Sequence, residues 1–286
     1  LLDQWISRGG KQMIDRDLIK RALAEDLQGG EDITSVATVS GSEKVVADFV
    51  SRKNGVVAGI DMARAVLEEV GLTDIAVLVK DGTAVKAGDV LMTVRGDTRA
   101  ILLAERTALN FLGHLSGIAT LTRTWVDAIT GTSCEIRDTR KTIPGMRLLE
   151  KYAVRMGGGT NHRMSLSDAA LIKDNHIAAA GGVAEAFSKV REKFPTSEIE
   201  IEVDTLDQLR EVLPLKPDLV LLDNMSPAQC AEAVAIVSGA TKLEASGGIS
   251  LENAKAYAVT GVNYLAIGAL THSAPVFDIG LDLRAE

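Results

Sequence analysis

The first hundred residues alternate short helical and strand-like patterns. Leu18, Ile19, Ala22 and Leu23 recur at helical spacing behind Asp15, a residue type that caps helices, and Gly29-Gly30 ends the run near Leu27. Val45 to Ser51 reads as a strand, Asn54-Gly55 as a hairpin turn, and Val56-Val57-Ala58 as the returning strand. Asp61 is placed to cap a short helix through Val70 whose inner face is Ala65, Val66 and Val70. Ile75 to Val79, the turn Asp81-Gly82, and the runs at Val85 and Val90 to Val94 add more strand, so this part is α+β. From Thr98 to about Thr130 the spacing turns helical, and Gly113 and Gly117 predict two helices meeting between them.

Beyond Thr130 the rhythm changes. Short apolar runs recur at Cys134–Ile136, Ala170–Ile172, Ile199–Val203, Leu219–Leu222, Lys242–Ala245 and Tyr264–Ile267. Helical patterns separate the later ones, over Thr205–Leu213, Ser226–Val237 and Leu251–Val259. Such alternation predicts a parallel sheet, and six or seven units are enough for a closed or nearly closed barrel. The rival, an open doubly wound sheet, lacks its G-x-G-x-x-G fingerprint at a first βα turn. In a barrel the C-terminal strand ends converge on one mouth. The residues falling there are Arg140 and Lys141, Arg163, Lys173, Glu202, Asp223, Ser246-Gly247-Gly248 and Gly268.

Charge sharpens this picture. The chain carries a net charge of -8, yet seven Lys or Arg against two acids lie between Arg137 and Arg163. Arg147, Lys151 and Arg155 are spaced as the solvated face of a helix whose Leu148, Leu149 and Tyr152 point inward. The other cations sit at element ends beside glycines, as a polyanion pocket requires. An acidic chain with 3% aromatic residues is a poor match for nucleic-acid binding, and no apolar run approaches the ~18 residues of a membrane span. Cys134 and Cys230 match no metal or redox spacing and read as reduced cytosolic thiols, so a cytoplasmic location is expected.

The ring of strand ends divides its labour. Arg and Lys can hold carboxylates and phosphates, while Glu202 and Asp223 can hold sugar hydroxyls or Mg²⁺. Ser246-Gly247-Gly248 and Gly268 let backbone N–H groups approach a terminal phosphate. No nucleophile–base pair and no HExxH motif stand out, which favours positioning and charge stabilisation over covalent catalysis. Two other readings remain: a Schiff-base aldolase using Lys173, and a phosphate-binding barrel without turnover.

Six motifs carry a resemblance. They are Ala104–Asn110 (AERTALN), His114–Thr120 (HLSGIAT), Arg137–Thr142 (RDTRKT), Gly157–Arg163 (GGGTNHR), Ile172–His176 (IKDNH) and Ser246–Ile249 (SGGI). Together they closely resemble quinolinate phosphoribosyltransferase, from about Asp26 to the C-terminus. The resemblance implies an N-terminal α/β sandwich over residues 1–113, rejoined by a tail at 271–286, and an incomplete TIM-like barrel over 114–270. It implies that quinolinate and phosphoribosyl diphosphate give nicotinate mononucleotide, diphosphate and CO₂, with Mg²⁺, in NAD synthesis. Carried over by motif, Thr139, Arg140, His162, Arg163 and Lys173 would hold quinolinate, with Arg106 reaching the neighbouring site of a homodimer or larger homo-oligomer. Lys141 would lie near ribose and diphosphate, and Glu202 and Asp223 would hold ribose hydroxyls and metal. Lys141, Glu202 and Asp223 would be the catalytic set, and Ala245, Ser246, Gly247, Ala266 and Gly268 the 5′-phosphate region. A paralogue found with molybdate-transport genes is the nearest rival within that family.

Overall fold

The structure is a computed structural model that describes residues 14–41 and 43–284. By contacts the chain divides into two compact units. One comprises the residues up to Arg123, Leu148–Gly158 and Ser273 onward; the other comprises Thr124–Arg147 and Gly159–His272. The tail from Ser273 thus belongs to the first unit, and so does a short internal helix.

The first unit begins with α1 (Arg16–Leu27), capped by Asp15 through a 2.9 Å bond from the Leu18 N–H. Next come α2 (Ile33–Thr38), β1 (Lys44–Ser51), β2 (Gly55–Val56), α3 (Ile60–Glu69), β3 (Asp74–Val77), β4 (Ala84–Val85), β5 (Val90–Asp97) and α4 (Thr98–Ala128). β1 is central in a four-stranded antiparallel sheet, with β5 on one side and the C-terminal strand Ile279–Arg284 on the other. From Val46 to Ser51 its residues are buried, Phe49 among them; removing that ring would cost about 3–5 kcal/mol.

Three local expectations fail here, each for a tertiary reason. Asn54-Gly55 is not a hairpin, because β2 pairs with β4 while β1 pairs elsewhere. Gly55 is required for close approach instead: a Cβ there would meet the Phe277 ring and, at 2.5 Å, the Thr120 hydroxyl. Asp61 does not cap α3. The Asp81 carboxylate does so from a distant turn, accepting from the Gly59 and Ile60 N–H groups at 3.0 and 3.1 Å. Lastly, α4 is one continuous helix of 31 residues. Gly113 and Gly117 do not break it; they make room for the returning tail. The Phe277 N–H donates to the Gly113 carbonyl at 2.9 Å, and a Cβ on Gly117 would strike the Pro275 carbonyl.

The second unit holds β6 (Glu135–Arg137), then, past α5 (Arg147–Met156), β7 (Ala170–Ile172), α6 (Asp174–Ala180), α7 (Val183–Lys193), β8 (Ile199–Val203), α8 (Leu206–Val212), β9 (Leu219–Asp223), α9 (Pro227–Val237), β10 (Lys242–Ser246), α10 (Ala254–Ala258), β11 (Tyr264–Ala266) and α11 (Ala269–His272). The last strand of the chain, already placed in the first unit, is β12 (Ile279–Arg284). Local chemistry agrees with the topology. Thr205 and Ser226 close capping boxes with Gln208 and Gln229 at the starts of α8 and α9, and Pro227 opens α9. The sheet is parallel, in the order β6-β11-β10-β9-β8-β7, and Thr160 bridges to Arg137 outside β6.

The sheet must curl. In a flat sheet β6 and β8, four steps apart, would stand about 19 Å from each other. Yet His162, two residues past the bridge on β6, reaches Glu200 of β8 at 2.7 Å. The fold is therefore the incomplete α/β barrel, with six laddered strands and a seventh reduced to a single bridge.

One charge expectation is corrected. Lys151 is fully buried and Leu148 is exposed, so α5 is turned relative to the face its charges suggested. Its neighbour Glu150, also fully buried, meets His114 at 2.9 Å. Arg147 is likewise engaged, binding the Thr142 hydroxyl and the Met164 carbonyl, both at 3.1 Å.

Candidate active site

Parallel register places the predicted strand ends side by side. Asp223 pairs with Ser246, Ser246 with Ala266, and Ala266 with Arg137, so these four lie in one row across the sheet. Ile172 pairs with Ile201, which brings Lys173 level with Glu202, and their side chains form an ion pair. Asp223 is pushed above the usual carboxylate range, first by burial and then by the charges of Glu202 and Asp204. An all-oxygen pair that repels itself is a fitting seat for Mg²⁺.

Two further cations lie close to each other. Arg163 is fastened at its Nη1 to the Ala169 carbonyl at 2.9 Å. Burial and then the nearby Arg140 guanidinium lower its pKa, which places two like charges in one neighbourhood. Arg140 Nε is buried without a hydrogen-bond partner. Two crowded guanidiniums and a buried unsatisfied N–H favour an anionic ligand able to accept from both.

The remaining phosphate-type elements lie at the ends of β9, β10 and β11. Gly247 and Gly248 both take left-handed backbone, φ 88 and 62. Asn224, itself left-handed at φ 54, donates its amide to Asp223 at 2.6 Å and its backbone N–H to the Ser246 carbonyl at 2.9 Å. A Cβ on Gly247 would collide with the Asn224 amide, so only glycine fits beside it. A Cβ on Gly268 would lie 3.0 Å from the Lys141 chain and 3.2 Å from His272 Nε2. The Lys141 backbone is pinned there, its carbonyl accepting from Thr271 at 2.8 Å and its N–H donating to Thr139 at 3.0 Å. Lys141, Gly268 and His272 thus share one corner. His272 was missed in the sequence because it ends a four-residue helix, not a strand. Ala245 and Ala266 are buried, while Arg106 is exposed on α4 in the first unit.

A second cluster of charge, the floor of the barrel, is largely buried among β6, β8, β10 and the segment after Thr160. Arg137 meets Glu244 at 2.9 Å, and its guanidinium lies 4.2 Å from the centre of the Tyr264 ring. His162 Nε2 is 2.7 Å from Glu200 and 3.6 Å from Glu244. Burial pushes Glu200 and Glu244 up to about 7, partly opposed by Arg137. Arg137 stays charged, since Glu244 and Glu200 outweigh its burial. His162, Glu200 and Glu244 offer ligand atoms within 4.8 Å of one another, but Arg137 already answers the charge of Glu244. Sequence patterning held one signal for this layer: Glu200 and Glu202 alternate on β8 and must face the same side.

Fold and site together define an α/β barrel whose strand ends carry cations, carboxylates and glycine-rich turns, as an enzyme acting on anionic substrates requires. Comparison with known proteins narrows the class. Residues 118–282 match the family described as "Quinolinate phosphoribosyl transferase, C-terminal domain", and residues 32–116 match its N-terminal domain. A nicotinate-nucleotide pyrophosphorylase [carboxylating] of Mycobacterium leprae is 54% identical over 274 residues, covering 94% of this chain and 96% of that protein. A solved nicotinate-nucleotide pyrophosphorylase from Francisella tularensis superposes with TM-score 0.90 at 40% identity, covering 94% of this chain and 95% of that one. One from Ehrlichia chaffeensis gives 0.90 at 40%, covering 94% and 98%. The chain belongs to the quinolinate phosphoribosyltransferase family.

Proposed function

We propose that this chain transfers the phosphoribosyl group of phosphoribosyl diphosphate to quinolinate and releases CO₂, forming nicotinate mononucleotide for NAD synthesis. The observation that supports the site assignment is the close pair of guanidiniums Arg140 and Arg163, together with Lys173 ion-paired to Glu202, whose charge in turn raises Asp223. A dicarboxylate offers acceptors to both guanidiniums at once.

In this reading Arg140, His162, Arg163 and Lys173 hold the quinolinate carboxylates, with Thr139 beside them. Glu202 and Asp223 would hold the ribose hydroxyls and Mg²⁺, an ion that supplies charge neutralisation for the diphosphate when bound. Ala245, Ser246, Gly247, Ala266 and Gly268 form the 5′-phosphate region, and Lys141 and His272 flank the diphosphate. As the bond from ribose C1′ to diphosphate oxygen breaks, its electron pair leaves with diphosphate and positive charge grows on the ring, where the two carboxylates stabilise it. The quinolinate nitrogen then bonds to C1′. The resulting pyridinium accepts the electron pair released when the adjacent carboxylate leaves as CO₂, and that carbon takes up a proton.

The enzyme would act in the cytoplasm as a homodimer or larger homo-oligomer, with Arg106 of the partner subunit reaching the quinolinate. No described helix is long and apolar enough to cross a membrane. The aldolase reading is disfavoured because Lys173 is engaged by Glu202 and not set in an apolar pocket. Incubation with quinolinate, phosphoribosyl diphosphate and Mg²⁺ should yield nicotinate mononucleotide and one CO₂ per turnover, with nicotinate inert as co-substrate. Turnover of nicotinate in preference to quinolinate would reject the assignment, as would full activity in excess EDTA for the metal.

A further inference from the structure

We propose that Asp138 is a positioning residue of the dicarboxylate pocket: its buried carboxylate replaces a rung of the barrel ladder and so fixes the segment that carries His162 and Arg163. Outside β6 the sheet continues by a single bridge, between Arg137 and Thr160. Its two bonds are those of a parallel ladder. The Thr160 N–H donates to the Ile136 carbonyl at 2.8 Å, and the Asp138 N–H donates to the Thr160 carbonyl at 3.2 Å. A third rung would run from the His162 N–H to the Asp138 carbonyl. That N–H donates instead to the Asp138 side chain, at Oδ1, at 2.8 Å. The seventh strand thus ends at one bridge, and beyond it a carboxylate does what a ladder carbonyl would have done.

This exchange ties together the two segments that carry the pocket's guanidiniums. Arg140 follows Asp138 by two residues, and Arg163 follows His162 directly. Burial first, and then the charge of Arg140, lower the pKa of Arg163, so the two guanidiniums are close enough to repel. Side chains that repel cannot set their own spacing; the backbones that bear them must be held. Asp138 holds the far segment twice, because it also accepts the Asn161 side-chain amide at Oδ2, at 2.5 Å. The residue is fully buried, where bonds to an ionised acceptor are strong and a stranded donor is costly. Both partners can only donate through the groups they present, so both bonds need an acceptor at position 138. An amide there would turn a donor toward Asn161.

This inference rests on the reading that Arg140, His162 and Arg163 hold the dicarboxylate, and the test separates the two. In the full-length enzyme, Asp138→Asn keeps an oxygen for the His162 N–H but sets amide against amide at Asn161. It should raise KM for quinolinate about tenfold, with KM for phosphoribosyl diphosphate within about twofold of the wild type. Combining Asp138→Asn with Asn161→Asp restores donor and acceptor at the same net charge and should recover most of that loss. Asn161→Ala leaves the carboxylate in place and should raise KM for quinolinate about threefold, which keeps the test open if Asp138→Asn does not fold. Both KM values rising equally, or neither rising while the melting temperature falls, would overturn the proposal. So would a double variant no better than Asp138→Asn alone. Arg163→Ala binding quinolinate like the wild type by calorimetry would instead overturn the pocket assignment itself.

Discussion

The floor and the mouth of the barrel handle charge in opposite ways. In the floor Arg137, His162, Glu200 and Glu244 are paired with one another, and the two carboxylates are driven by burial toward neutrality. In the mouth Arg140 and Arg163 crowd one another, Glu202 and Asp223 repel, and the Lys173–Glu202 ion pair spans the two sets. The floor pairs its charges with one another, while Glu200 Oε1 and Glu244 Oε1 stay buried without a hydrogen-bond partner. The mouth instead brings like charges together, and under the proposed function a dicarboxylate and a metal–diphosphate would bind there.

The contrast can be broken from either side. The largest expected effect is on stability: Arg137→Ala strands buried carboxylates and should cost about 3–5 kcal/mol by urea denaturation, with Arg137→Lys restoring part of it. In the mouth, Asp223→Asn should leave stability within about 0.5 kcal/mol while lowering kcat/KM on the order of 10²-fold. A large stability loss there would erase the distinction between the layers.

A smaller effect concerns pH. Glu200 and Glu244 rise from the ordinary 4.5 to about 7 in the folded protein, so folding takes up protons between those values. Their contribution is full below about 4.5 and is lost as pH rises through about 7, so the melting temperature should fall from pH 5.5 to pH 8. Glu200→Gln with Glu244→Gln should flatten that fall; an unchanged slope would show that other groups cause it. The smallest effect is at the thiols. Burial pushes Cys134 up to about 12 and Cys230 up to about 11, so alkylation of the native enzyme at neutral pH should be negligible.

The mouth was far more legible in the sequence than the floor. Arg140, Lys173, Glu202, Asp223, Ser246 and Gly268 are placed by a rule that needs only strand periodicity and parallel topology. The floor depends on which strands meet across the barrel, and nothing in the spacing of Arg137, Glu200 and Glu244 states that. The same reason accounts for Gly55, Gly113 and Gly117. Each resembles a turn or a break locally, but its use is set by Pro275 or Phe277, more than 150 residues away. Lys151 misled for a related cause, since the neighbours of α5, and not its own spacing, decide which face is buried.

The most direct test of the division is to titrate Arg140→Ala separately with quinolinate and with phosphoribosyl diphosphate–Mg²⁺ by calorimetry. Quinolinate affinity should fall by about 2–5 kcal/mol while phosphoribosyl diphosphate binds within about threefold of the wild type. Equal loss of both affinities, or retention of both, would contradict the account.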